Sequence, residues 1–253
     1  MKPSDFERVA IESVLLAAKI VAERYGTASA IGTKSSATDV VTKTDIDSEN
    51  LISQLLRLRT PGCGIVGEET GASELQARVQ WVVDPLDGTV NYLYALPTFA
   101  VSVAAAVDGE FVAGAVIDVL RNEVFSAHVG GGARRNEMPI RASDCDGLSN
   151  ALVMTGFSYS AALRAEQASV LGDLLPAVRD IRCFGSAALE LCWVACGRAN
   201  AYFERDIKIW DWAAASVIAA EANVEMELPC PENRGLFLAA EPAIFADLRA
   251  LVA

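Results

Sequence analysis

The chain has 253 residues, 52% of them hydrophobic and 21% charged. At this length roughly 75% of the unfolded chain's surface can be buried, so the core needs no disulfide staples, and the composition excludes disorder. Twenty-one basic against 33 acidic side chains leave a formal charge of −12. That excludes holding nucleic acid or an anionic membrane by charge alone, whereas clustered carboxylates suit a hard divalent cation.

The N-terminal residues lack the uninterrupted apolar centre of a signal peptide, being broken by Glu12 and Lys19, and no apolar run approaches the ~18 residues of a membrane span. Cys63, Cys145, Cys183, Cys192, Cys196 and Cys230 form no C-x-x-C pair and sit mostly among apolar neighbours, as small buried hydrophobes do. The expected location is the cytoplasm. With His128 the sole histidine, a multi-histidine zinc site is excluded, and His128 itself reads as structural.

Residues 4–25 carry Phe6, Val9, Ala10, Ala17, Ile20 and Val21 at helical spacing, with Ser4 placed to cap the start and Gly26 to stop the helix. A second helix is predicted over 45–58, ended by Thr60-Pro61-Gly62. Residues 80–83 read as a strand, and 99–107 with 111–118 as a hairpin across Asp108-Gly109. Residues 124–127 extend that sheet. Gly130-Gly131-Gly132 reads as a turn, since no Lys-Ser/Thr follows to make a phosphate loop. A polar stretch at 142–149 precedes helices predicted over 162–175, 186–196, 211–222 and 243–252.

The most informative segment is Trp81-Val82-Val83-Asp84-Pro85-Leu86-Asp87-Gly88-Thr89. A buried-type strand delivers Asp84 to its end, Pro85 stiffens the turn, and Gly88 lets backbone approach a ligand closely. Two carboxylates on one tight turn repel unless a cation lies between them. The alternative is a turn with solvated acids. Gly67-Glu68-Glu69 follows the short apolar run Ile65-Val66, and Trp210-Asp211 opens an apolar helix. Asp45 and Asp211 each stand where helix capping alone would account for an aspartate.

Gly67-Glu68-Glu69, Asp84-Pro85-Leu86-Asp87-Gly88-Thr89 and Trp210-Asp211, in this order, resemble the inositol monophosphatase family of metal-dependent, lithium-sensitive phosphatases. The resemblance runs from Lys34 to about Ala222. It implies an α+β fold, a five-layered αβαβα sandwich with subdomains at 1–143 and 144–253. Glu68, Asp84, the Leu86 carbonyl, Asp87 and Asp211 would be metal ligands. Mg²⁺ suits this all-oxygen set, with two or three ions and Mn²⁺ as a substitute. Glu68 and Thr89 would orient the attacking water, with Asp45 hydrogen-bonded to Thr89. The amides of Gly88 and Thr89 would hold phosphate.

The resemblance further places Glu204 and Ala187 against the substrate, alongside Asp87 and Asp211. For Glu204 the alternative is an exposed strand-end acid. Lys34 matches a lysine of a flexible loop near the metals, or is a solvated surface residue. The implied substrate is inositol-1-phosphate or a similar polyol phosphate. Sibling activities on histidinol phosphate, fructose-1,6-bisphosphate or a 3′-phosphoadenosine nucleotide, and a transcription-associated partner role, are the alternatives. A homodimer without nucleic-acid or membrane partners is expected. Two departures stand out: Ala222-Asn223 replaces a glycine pair, and the segment after Gly131-Gly132 lacks an aromatic.

Overall fold

The computed structural model describes residues 1–33 and 40–253; Lys34 lies outside them. In chain order the elements are α1 (Pro3–Arg24), β1 (Ala30–Thr33), β2 (Val40–Thr42), α2 (Lys43–Arg59), β3 (Gly64–Gly67), β4 (Gly71–Ser73), β5 (Val79–Asp87) and α3 (Thr89–Leu93). There follow β6 (Ala100–Val107), β7 (Glu110–Asp118), β8 (Glu123–His128), β9 (Arg134–Arg135), β10 (Met138–Pro139), a 3₁₀ turn at Leu148–Asn150 and β11 (Leu152–Thr155). The chain ends with α4 (Ala161–Leu174), β12 (Asp180–Arg182), α5 (Ala187–Ala195), β13 (Ala201–Arg205), α6 (Ile209–Glu221), β14 (Glu225–Glu227), β15 (Leu236–Ala240) and α7 (Pro242–Val252).

Among the described residues, eight strands form one sheet in the order β10-β9-β8-β7-β6-β5-β3-β4 and five form another in the order β12-β11-β13-β15-β14. Alternation along the strands sends side chains to two different cores. Trp81 and Val83 of β5 face α1 and α2, where Phe6, Val14, Val21, Ile52 and Leu56 are buried. Val82, on the opposite face, joins a middle core with the helices α5 and α6 and with Tyr202, Phe237 and Ala239 of the smaller sheet. The far face of that sheet packs Val153, Phe203 and Leu238 against α4 and α7 through Leu174, Ile244 and Leu248. The result is a five-layered αβαβα sandwich.

Several predicted elements shift. Helix α1 starts at Pro3 with Lys2, not Ser4, at the N-cap, because proline's fixed φ and missing N–H suit the first turn. Helix α2 begins two residues early: Thr42 is the N-cap and Asp45 the third helical residue, the two forming a capping box. Asp211 is likewise third in α6, its carboxylate reaching back to the Lys208 N–H at 2.6 Å. Asn223 takes the left-handed conformation at φ 65°, so the helix ends as a glycine would end it. Gly130 and Gly132 form a turn whose N–H groups both donate to Glu221 at 2.8 Å. His128 ends β8 against Glu7, all six cysteines are free, and no helix of the described residues is long and apolar enough to cross a membrane.

Candidate active site

Strand β5 pairs with β6 through Asp84 opposite Ser102 and Asp87 opposite Ala100. One extra residue therefore bulges out where Pro85, without an N–H, could not have kept the ladder. The predicted strand thus runs on through Asp87. Asp84 Oδ1 accepts the Leu86 N–H at 3.0 Å, closing the bulge and burying the Leu86 side chain. Gly88 follows at φ 88°, where a Cβ would stand 3.0 Å from the Thr98 carbonyl oxygen and 3.1 Å from that of Gly185. Only glycine fits a left-handed position pinched between two backbones.

Thr89 opens α3. Its hydroxyl stands 3.0 Å from both Asp45 Oδ1 and the Leu86 carbonyl oxygen. Asp45 is fully buried, and its other oxygen accepts the Thr42 N–H at 2.9 Å and hydroxyl at 2.5 Å. Asp45 therefore caps its helix and orients Thr89 at once, so the two readings of this residue are not alternatives. Glu68 follows β3, its N–H donating to the Val83 carbonyl at 3.2 Å, which sets it beside Asp84.

Asp87 Oδ2 accepts from the Ser186 hydroxyl at 2.6 Å and the Ala188 N–H at 2.8 Å. Burial pushes its carboxyl up to about 6. The Asp211 carboxyl is also pushed well up, first by burial and then by the negative charge of Asp87 and Glu68. Glu204 Oε2 accepts the Tyr202 hydroxyl at 2.5 Å, and burial with Asp87 and Asp206 nearby pushes Glu204 up to about 7. It is not an exposed strand-end acid: a Cβ on Gly156 would come within 2.1 Å of its carboxylate.

Of the expected residues, Glu68, Asp84, Leu86, Asp87, Gly88, Thr89, Ala187, Glu204 and Asp211 line one cleft of about 1010 Å³. Asp45 stands behind it, against Thr89. The acids surround the cleft rather than meeting at a point, and among the described residues no three His, Cys, Asp or Glu side chains are gathered closely enough to hold an ion as they stand. The donor set is nevertheless coherent: four carboxylates and a carbonyl, all oxygen, fit a hard divalent cation and not zinc. Acids that raise one another's pKa by burial and mutual repulsion are also what a cation relieves.

Sequence reasoning missed Ser186 and Glu190. Glu190 is buried in α5, where Oε1 accepts the Phe184 and Gly185 N–H groups at 2.9 Å each while Oε2 has no partner. It holds the loop that carries Ser186, and burial pushes its carboxyl up to about 8. An acid in an otherwise apolar helix was the signal available for it.

The model of the inositol monophosphatase family matches residues 2–249. An inositol-1-monophosphatase of Mycobacterium leprae is 46% identical over 85% of this chain and 78% of its own length. A Nus factor SuhB of Pasteurella multocida is 39% identical over 90% of this chain and 85% of its own. The solved structure of Mycobacterium tuberculosis SuhB superposes with a TM-score of 0.84 at 39% identity, covering 99% of this chain and 96% of that one. The order of acidic motifs, the five layers and these likenesses agree: the chain belongs to the inositol monophosphatase family of phosphatases.

Proposed function

We propose that the chain hydrolyses a sugar or polyol phosphate monoester with Mg²⁺ as cofactor, inositol-1-phosphate being the first candidate. The observation that carries this reading is the placement of Glu68, Asp84, Asp87 and Asp211 around one cleft that also contains Thr89 and Glu204. A divalent cation held by Glu68, Asp84, the Leu86 carbonyl, Asp87 and Asp211 supplies Lewis-acid polarisation of the phosphoryl group and acidifies water there. The protein's own residues do the rest. The Thr89 hydroxyl donates its hydrogen bond to Asp45, which leaves a lone pair of Thr89 Oγ to accept from the attacking water, and Glu68 holds that water from the other side. The turn amides of Gly88 and Thr89 bind phosphate oxygens. Glu204, steadied by Tyr202, accepts hydrogen bonds from the hydroxyls of the leaving polyol, and Ala187 forms part of the cleft wall.

The name of the Mycobacterium leprae relative favours inositol-1-phosphate. Two or three Mg²⁺ ions, substitution by Mn²⁺, inhibition by lithium, a homodimer and a division into units at 1–143 and 144–253 belong to the same reading. A panel of phosphate esters assayed with Mg²⁺ tests it. Preference for a polyol phosphate supports the assignment; preference for histidinol phosphate, fructose-1,6-bisphosphate or a 3′-phosphoadenosine nucleotide overturns the substrate. The name of the Pasteurella multocida relative favours a second reading, a role through transcription partners. Phosphate release from no monoester, with protein folded and Mg²⁺ bound, would select it.

A further inference from the structure

One face of α2 is polar where an ordinary packed helix is apolar. Asp45, Ser48 and Glu49, at i, i+3 and i+4, are all fully buried, and each bonds a different segment of the site. Asp45 takes the Thr89 hydroxyl. Ser48 donates to the Pro85 carbonyl at 2.9 Å, at the bulge between the two aspartates. Glu49 accepts the Glu69 N–H on Oε2 and the Thr70 N–H on Oε1, each at 2.8 Å. With the Glu68 N–H on Val83, three successive amides from 68 to 70 are held in place. Gly67 belongs to the same device: a Cβ there would stand 2.5 Å from the Glu49 carboxylate, so the glycine ahead of Glu68 makes room for Glu49.

We propose that Glu49 is a positioning residue that sets the Glu68 carboxylate for the divalent cation, with α2 as the common strut for the Glu68 turn, the Asp84–Asp87 bulge and Thr89. The inference rests on the reading of Glu68 as a metal ligand. A fully buried carboxylate is costly to desolvate, and a short edge hairpin between β3 and β4 does not require one. Its two charge-assisted bonds go to the backbone directly after Glu68, where a shift of the turn would move the ligand itself.

The test uses the metal-free protein and Mg²⁺ alone. In Glu49→Gln the amide retains one acceptor and turns its NH₂ toward the second backbone N–H, so one bond is lost at constant volume. Amide exchange at Glu69 and Thr70 should accelerate in the metal-free protein, and calorimetric Mg²⁺ affinity should fall about 10–100-fold, the usual cost of losing an outer-shell partner. Gly67→Ala displaces the same carboxylate from the other side with Glu49 intact, and should give the same two changes even if Glu49→Gln does not fold. Wild-type Mg²⁺ uptake matched by a folded variant, with exchange at 69 and 70 unaltered, overturns the proposal alone. No Mg²⁺ uptake by the wild type overturns the reading of Glu68 and this proposal with it.

Discussion

The Ser186 hydroxyl donates to Asp87 Oδ2 at 2.6 Å, joining residues 99 positions apart. The loop ahead of α5 is thereby tied to the end of β5, and the Ala188 N–H reinforces the tie on the same oxygen. Ser186→Ala removes one of these two bonds. Turnover should fall about 10–100-fold, with stability lowered by about 1 kcal/mol. Steady-state kinetics beside a denaturant titration checks both, and an unchanged kcat/KM would remove Ser186 from the site.

Asp87→Asn keeps the size of the side chain and an acceptor for Ser186 and Ala188, but not the charge. Activity should be lost nearly completely while circular dichroism and the melting profile remain those of a folded protein. Retained turnover would show that the charge of Asp87 serves neither metal nor substrate.

Glu204→Gln preserves an acceptor for the Tyr202 hydroxyl and removes the carboxylate from the polyol end of the cleft. KM for a polyol phosphate should rise about tenfold, equivalent to about 1.4 kcal/mol, with Mg²⁺ affinity unaltered. Weakened Mg²⁺ binding in this variant would place Glu204 among the ligands instead.

Gly114, in the middle of β7, lies against α6: a Cβ would stand 2.5 Å from the Ala214 carbonyl oxygen and 2.7 Å from its Cα. Gly114→Ala therefore forces backbone apart, not a flexible side chain. Overpacking of this kind costs about 1–3 kcal/mol. Chemical denaturation at constant m-value measures it, and an unchanged midpoint would mean that the sheet and α6 can separate freely.

Burial pushes the Glu190 carboxyl up to about 8 from its ordinary 4.5. The folded state then holds a proton that the unfolded chain has released, so this group's stabilising contribution is complete below pH 4.5 and is lost as pH rises through about 8. The slope from one proton is at most about 1.4 kcal/mol per pH unit. Glu190→Gln, neutral throughout, should be relatively more stable at the upper end of that window. Parallel stability profiles for wild type and variant between these limits would contradict the assignment.

The chemistry of β5 was legible in the sequence because its rules are local: proline breaks a ladder, glycine takes a left-handed turn, and acids repel. The capping of α2 was read one turn late, since Asp45 looks like a helix start when the Thr42-x-x-Asp45 box goes unnoticed. Strands β11 and β15 escaped because short, buried runs carry no alternation; the smaller sheet was reachable only through family resemblance. Ser186 and Glu49 were missed for a different reason. A serine before a helix and a third acid on a helix are commonplace, and their meaning lies in partners that only folding supplies. The faint sign for Glu49 was its place one turn after Asp45, on the same buried stripe as Ile52 and Leu56.

Helix α6, which carries Asp211, lies between two sheets and is built there from Ala213, Ala214, Ala215 and Ala219, all fully buried. Alanine makes this layer thin, and its thickness fixes how high Asp211 stands over Asp87. The spacing of two acids lining the cleft is thus set by methyl groups behind them, as a shim sets a gap. Substitutions in this interior layer would therefore shift Asp211 relative to Asp87 while leaving every residue that lines the cleft unchanged.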